Sequence, residues 1–157
     1  MKRNFTHKQL CEIAEKWLRK RKRQNIMYPT FPVTCTEIAC YNGQNWNEIP
    51  DAFGVNNYES CVIECKISRA DFLADLKKPF RKENGMGNLR LYLCPENLIH
   101  KEDLPEKWGL LYVNEKGKVI EIQEPEHHQL STASLKAERQ ILFSLLRRAA
   151  IKKEFER

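Results

Sequence analysis

The sequence predicts a mixed α/β domain whose elements run α-β-β-β-α-β and close with a β-hairpin and a helix. Three observations carry that prediction. Apolar residues recur at helical spacing near the start, after residue 68 and towards the end; short β-branched and aromatic runs fill the segments between; Pro, Gly and Asn punctuate the joints. A length of 157 residues suits a single domain, 1–157, with one core.

Residues 6–23 place Leu10, Ile13, Ala14, Trp17 and Leu18 on one face, with Thr6 at the cap, and end in a basic run from Arg19 to Arg23. Pro29 and Pro32 then mark a loop. The segments "VTCTEIACY", "EIPDAFGV" and "CVIECKI", with the Asn42-Gly43 turn signal and the polar "NNYES" between them, read as a three-stranded meander. Ser68 and Asp71 have capping-box spacing, Phe72, Leu73 and Leu76 give an apolar face, and Pro79 stops the chain, so a second helix is expected over 69–78. "LRLYLC" reads as a buried strand reached by a crossover. "WGLLYVN" and "KVIEIQ" read as a hairpin, and 135–155 as a basic closing helix.

The net charge of +6, from 27 Lys+Arg and 21 Asp+Glu, favours an anionic partner, either nucleic acid or a membrane surface. No apolar run approaches the roughly 20 residues of a spanning helix, and the start "MKRNFTHKQLCEIAEKW" has no signal-like apolar region, so no membrane partner and a cytoplasmic location are expected. The six cysteines form no Cys-x-x-Cys pair, and four lie in β-branched or aromatic runs. They are expected to be reduced and buried, as small hydrophobes.

Within "CVIECKI", strand alternation sends Val62, Glu64 and Lys66 to one face and Cys61, Ile63 and Cys65 to the other. Two opposite charges then meet at the C-terminal end of a strand, where they can reach a cleft. Asp51, after Pro50 on the preceding strand, folds back beside Glu64. Two carboxylates can share Mg²⁺, which keeps waters and accepts phosphate oxygens in its remaining positions. Lys66 beside them can orient an attacking water or offset charge on a phosphate. The alternative is an ion pair on a strand edge, contributing about 0 to 1 kcal/mol if exposed.

"PDAF", followed thirteen positions after Asp51 by "ECK", resembles the signature of the PD-(D/E)XK nuclease superfamily, and the element order over 5–115 matches. "IECKISRADFLADLK" and the later "WGLLYV" resemble more closely the MmcB-like DNA-repair proteins, with a departure at Lys78, where that family has a tryptophan. The resemblance implies a restriction-endonuclease-like αβββαβ core with a mixed central sheet flanked by helices. It implies a Mg²⁺- or Mn²⁺-dependent phosphodiesterase acting on DNA, with Asp51 and Glu64 as metal ligands and Lys66 as catalytic lysine. An acid from the first helix often joins such sites; Glu12 and Glu15 are candidates, as is Glu37 on the first strand. Arg69 and Lys77, with Arg19, Lys20 and Arg21, are candidate nucleic-acid contacts. Asp71 and Asp75 read as parts of a cap and solvent face, Trp46 and Tyr58 as loop aromatics able to stack on a base, and His127 and His128 as loop residues. The rival reading is a catalytically silent nuclease-like module that binds DNA without cutting it.

Overall fold

The computed structural model describes residues 4–20, 31–38, 40–41 and 47–155. Helix α1, His7–Lys20, leads into β1, Val33–Thr36. The strands β2, Cys40–Tyr41, and β3, Asn47–Glu48, pair only with each other. Then follow β4, Ala52–Val55, β5, Ser60–Cys65, helix α2, Arg69–Asp75, and a 3-10 turn over Pro79–Arg81. The chain continues through β6, Leu89–Pro95, β7, Gly109–Val113, β8, Val119–Gln123, and helix α3, Thr132–Phe155. Among the described residues no helix is long and apolar enough to cross a membrane.

Six strands form one mixed sheet in the order β1-β4-β5-β6-β7-β8. The pairs β1/β4, β4/β5 and β7/β8 are antiparallel, whereas β5/β6 and β6/β7 are parallel. The expected meander is therefore present as β1, β4 and β5, and the expected crossover returns through α2. The meander's first two strands are each shorter than their apolar runs suggest. Glu37 adopts a left-handed φ of 49°, which ends β1, and its N–H donates to the Pro50 carbonyl at 3.2 Å, so the short β2/β3 hairpin branches off between them. The Asn42-Gly43 turn signal and Pro29 lie outside the described residues.

Each sheet face has its own cover. Leu10, Cys11, Ala14 and Leu18 of α1 pack on Cys61, Ile63, Cys65, Leu91 and Leu93. Gly54 leaves room on this face for Phe31, because a Cβ there would lie 2.9 Å from Phe31 Cβ. On the opposite face, Ala137 and Ile141 of α3 pack on Phe53 and Val62, while Phe72 of α2 joins Tyr92, Cys94, Trp108 and Leu110. The strand alternation thus holds: Val62, Glu64 and Lys66 share the face covered by α2 and α3. Helix α2 is shorter than expected, and Leu73 is exposed, leaving Phe72 and the partly buried Leu76 as its apolar contacts. Cys11, Cys35, Cys61, Cys65 and Cys94 are buried and form no disulfide.

Candidate functional site

The β4/β5 register pairs Ala52 with Ile63, which brings Asp51 alongside Glu64 at the C-terminal end of β5. Asp51 Oδ2 accepts from the Cys65 N–H at 2.8 Å, and its Oδ1 lies 3.2 Å from His7 Nε2 of α1. Lys66 Nζ stands 3.5 Å from Glu64 Oε2. The three residues of the signature are therefore together. Their setting differs from the open cleft expected: Glu64 and Lys66 are only 2% and 4% exposed.

What makes such burial tolerable is a charge network that the sequence reading missed. Asp75 belongs to the interior, not to the solvent face of α2, with 1% exposure. Its carboxylate accepts from Arg81 Nε at 2.7 Å and Arg81 Nη2 at 3.0 Å, from Tyr92 Oη at 2.7 Å and from Lys66 Nζ at 3.2 Å. Lys78, at the position where the resemblance departs, adds a contact at 3.0 Å. Arg81 also reaches Glu64 Oε2 at 3.1 Å and Glu48 Oε1 at 3.3 Å. Its guanidinium lies against the rings of Phe80, at 4.8 Å, and Trp108, at 5.1 Å. Tyr92 is held in turn between Trp108, stacked at 4.5 Å, and the edge-on ring of Phe72.

The two central carboxylates respond oppositely to this environment. Burial pushes the Glu64 pKa up to about 7; Asp51 and Asp75 add to the rise, and Arg81 and Lys66 oppose it. Burial also works against ionised Asp75, but the hydrogen bonds and charge of Arg81, with Lys66 and Tyr92, hold that carboxyl well below its usual range. Desolvation alone would lower the Lys66 pKa, yet Glu64 and Asp75 raise it, so the ammonium stays charged. Glu64 Oε2 faces both cations, whereas its Oε1 is buried with no hydrogen-bond partner. A hard divalent cation fits this donor set. The bare Oε1 is a buried acceptor lacking any donor, and the β4/β5 register sets Asp51, with its carboxylate, opposite Glu64.

The remaining candidates divide. Glu12 is exposed. Glu15 accepts from Arg19 at 2.8 Å and from Thr34 Oγ1 at 3.0 Å, so it braces α1 on β1. Glu37 does approach Asp51: His7, Cys11, Glu37 and Asp51 present ligand atoms within 4.8 Å of one another. Arg69 is engaged by Asp103 through a two-pronged pair at 2.6 and 2.7 Å, while Lys77 is exposed. Lys20 is exposed at the end of α1; Arg21 and Trp46 lie outside the described residues. Tyr58 is 92% exposed but occupies the turn before β5, at the other end of that strand from Glu64, so it does not border the site. His128 is a loop residue as expected, and burial beside Arg90 and Lys107 pushes its pKa down to about 4.

Two of the network's members had signals of differing strength. Asp75 stands three residues after Phe72, on the helix face already assigned to the core, so its spacing was a signal for burial that the solvent-face reading passed over. Arg81 follows Pro79 in a turn with no periodicity and gave no such signal.

No family model matches the chain, and no curated protein does. A solved structure of a protein of unknown function from Silicibacter pomeroyi is similar in fold, with a TM-score of 0.55 and 22% identity, over 79% of this chain and 81% of that chain. That likeness concerns the fold alone.

Proposed function

We propose that the chain is a divalent-metal-dependent phosphodiesterase acting on DNA, with a restriction-endonuclease-like core of the PD-(D/E)XK type. The observation that carries this reading is the unpartnered Oε1 of Glu64, buried beside Asp51 and Lys66 at a strand end. Asp51 and Glu64 would hold Mg²⁺ or Mn²⁺. When bound, such an ion supplies a Lewis acid for a phosphoryl oxygen and a bound water of lowered pKa. Asp51 is oriented for this by the Cys65 N–H, and Glu64 by the cations on its other oxygen. Lys66, fixed between Glu64 and Asp75, offsets charge developing on the scissile phosphate. Positioning falls to Asp75 and Arg81, which hold Lys66 and Glu64 without reaching the substrate.

The test is cleavage of linear, branched and single-stranded DNA with Mg²⁺ or Mn²⁺. Asp51→Asn and Glu64→Gln should each abolish cutting, and Lys66→Ala should slow it about 10²- to 10³-fold, as loss of one transition-state donor does. Wild-type cleavage that survives Asp51→Asn and Glu64→Gln unchanged would defeat the site.

The burial of Glu64 and Lys66 favours one second reading, a silent module that binds DNA through its basic surface. It expects no cleavage by any variant, together with DNA affinity that falls steeply with salt as counterions are released.

A further inference from the structure

We infer that His7, Cys11, Glu37 and Asp51 form a binding site for a borderline-soft transition metal of the Zn²⁺ class, on the α1 side of Asp51, sharing Asp51 with the carboxylate pair but making no use of Glu64. The four ligand atoms lie within 4.8 Å of one another. His7 Nε2 is 3.2 Å from Asp51 Oδ1, His7 Nδ1 is 3.9 Å from Glu37 Oε1, and Cys11 Sγ is 3.7 and 3.9 Å from the two ring nitrogens. Tetrahedral zinc with bonds of about 2.0 to 2.3 Å sets its ligands roughly 3.3 to 3.8 Å apart. Bringing the widest separation, up to 4.8 Å, into that range needs a contraction of about 1 Å.

Its chemistry also selects the ion. Glu64 Oε2 and the Asp75 carboxylate are oxygens already matched by Lys66 and Arg81, whereas this cluster joins a sulfur, an imidazole and two carboxylates. A thiolate with an imidazole favours Zn²⁺ over Mg²⁺ or Ca²⁺. Among the described residues no lysine or arginine forms an ion pair with Glu37 or Asp51, and the imidazole of His7 lies against both.

Three separate elements are needed to assemble the set, and local structure fixes each. His7 and Cys11 stand one helical turn apart on α1, in a turn whose start is capped by the Gln9 N–H donating to Thr6 Oγ1 at 3.2 Å. Glu37 is turned towards Asp51 by its left-handed φ of 49° and its N–H bond to Pro50. Asp51 is anchored through Oδ2 by the Cys65 N–H, which leaves Oδ1 directed at His7. Access exists from solvent, since the side chains of His7 and Glu37 are 37% and 54% exposed. A bound ion would clamp the first turn of α1 to the start of β4.

The reduced full chain, stripped of metal, is titrated with Co²⁺ and with Zn²⁺. Wild type should bind one ion, give a thiolate-to-cobalt charge-transfer band, and unfold at a higher temperature with Zn²⁺ than without. Cys11→Ser should lose the band. His7→Ala should weaken Zn²⁺ by more than the roughly 10- to 100-fold that loss of an outer partner costs. Glu64→Gln should bind Zn²⁺ as wild type does, which separates this site from the phosphodiesterase reading and needs no activity. If Cys11→Ser does not fold, His7→Ala and Glu37→Gln, both at half-exposed positions, decide the matter. A wild type without the charge-transfer band, Zn²⁺ affinity unchanged in His7→Ala, or affinity lost in Glu64→Gln overturns the site.

Discussion

Asp51 stands between two clusters of opposite character. On its α2 side, Glu48, Glu64 and Asp75 meet Lys66 and Arg81 in the interior, and almost every charged atom has a partner of opposite sign. On its α1 side, among the described residues, Glu37 and Asp51 meet His7 and a thiol, with solvent nearby. The first cluster is closed by the protein's own cations, and breaking it leaves charges buried without compensation. The second is an excess of donors at a boundary, so its members matter to an added ion far more than to the fold.

The sharpest way to break that contrast is Arg81→Met. It removes the one cation that Glu48, Glu64 and Asp75 share, and loss of one partner in a buried network costs about 3 to 5 kcal/mol. For a chain of this size the unfolding temperature should fall by about 10 °C. A fall within 2 °C, by calorimetry or circular dichroism, would mean the network is not a unit.

The next effect is in pH. Glu64 binds its proton more tightly folded than unfolded, because its folded pKa is raised to about 7. Its contribution is therefore present below its ordinary pKa and is lost as pH rises through about 7, amounting to about 3 kcal/mol at most. Glu138, raised to about 7 chiefly by burial, adds in the same direction. Asp75, held low, acts with the opposite sign: its contribution is present above its unfolded pKa and is lost as pH falls through its depressed folded value. Without added metal, Glu64→Gln should flatten the decline between pH 5 and 7, as denaturant titrations at several pH values would reveal. An unaltered slope would count against a buried, proton-binding Glu64.

A smaller change is expected from the cap of α2. Ser68 Oγ accepts from the Asp71 N–H at 3.1 Å, and Ser68→Ala should cost about 1 kcal/mol. Smallest of all, Glu37→Gln without metal should alter stability by no more than about 0.5 kcal/mol, because its side chain is half exposed. A metal-free loss as large as that of Arg81→Met would erase the distinction between the clusters.

Most of the element order was legible because each element carries a clean period: Leu10, Ala14 and Leu18 for α1, and the alternation through Cys61 to Lys66 for β5. The split of the first two strands was not, since a left-handed glutamate has no periodic signature. The nearness of Asp51, Glu64 and Lys66 could be read from a short turn and a two-residue spacing. Their burial could not, because it depends on Arg81, brought in by a turn after Pro79. His7 was overlooked for a related reason: its four-residue spacing from Cys11 is visible, but its partner Asp51 is distant in sequence.

The outer strand β8 has a consequence of its own. It is one open edge of the sheet, and Ile120 on it is 37% exposed, a surface on which a second chain's strand can add. Three features oppose such growth. The pairing with β7 shifts register between Leu110 and Leu111, the strand has only five residues, and Lys118 just before it and Glu121 on it bring charges of both signs. These charges act as gatekeepers against self-association, so a chain carrying Glu121→Val should fold as before yet form fibres or precipitate at lower concentration.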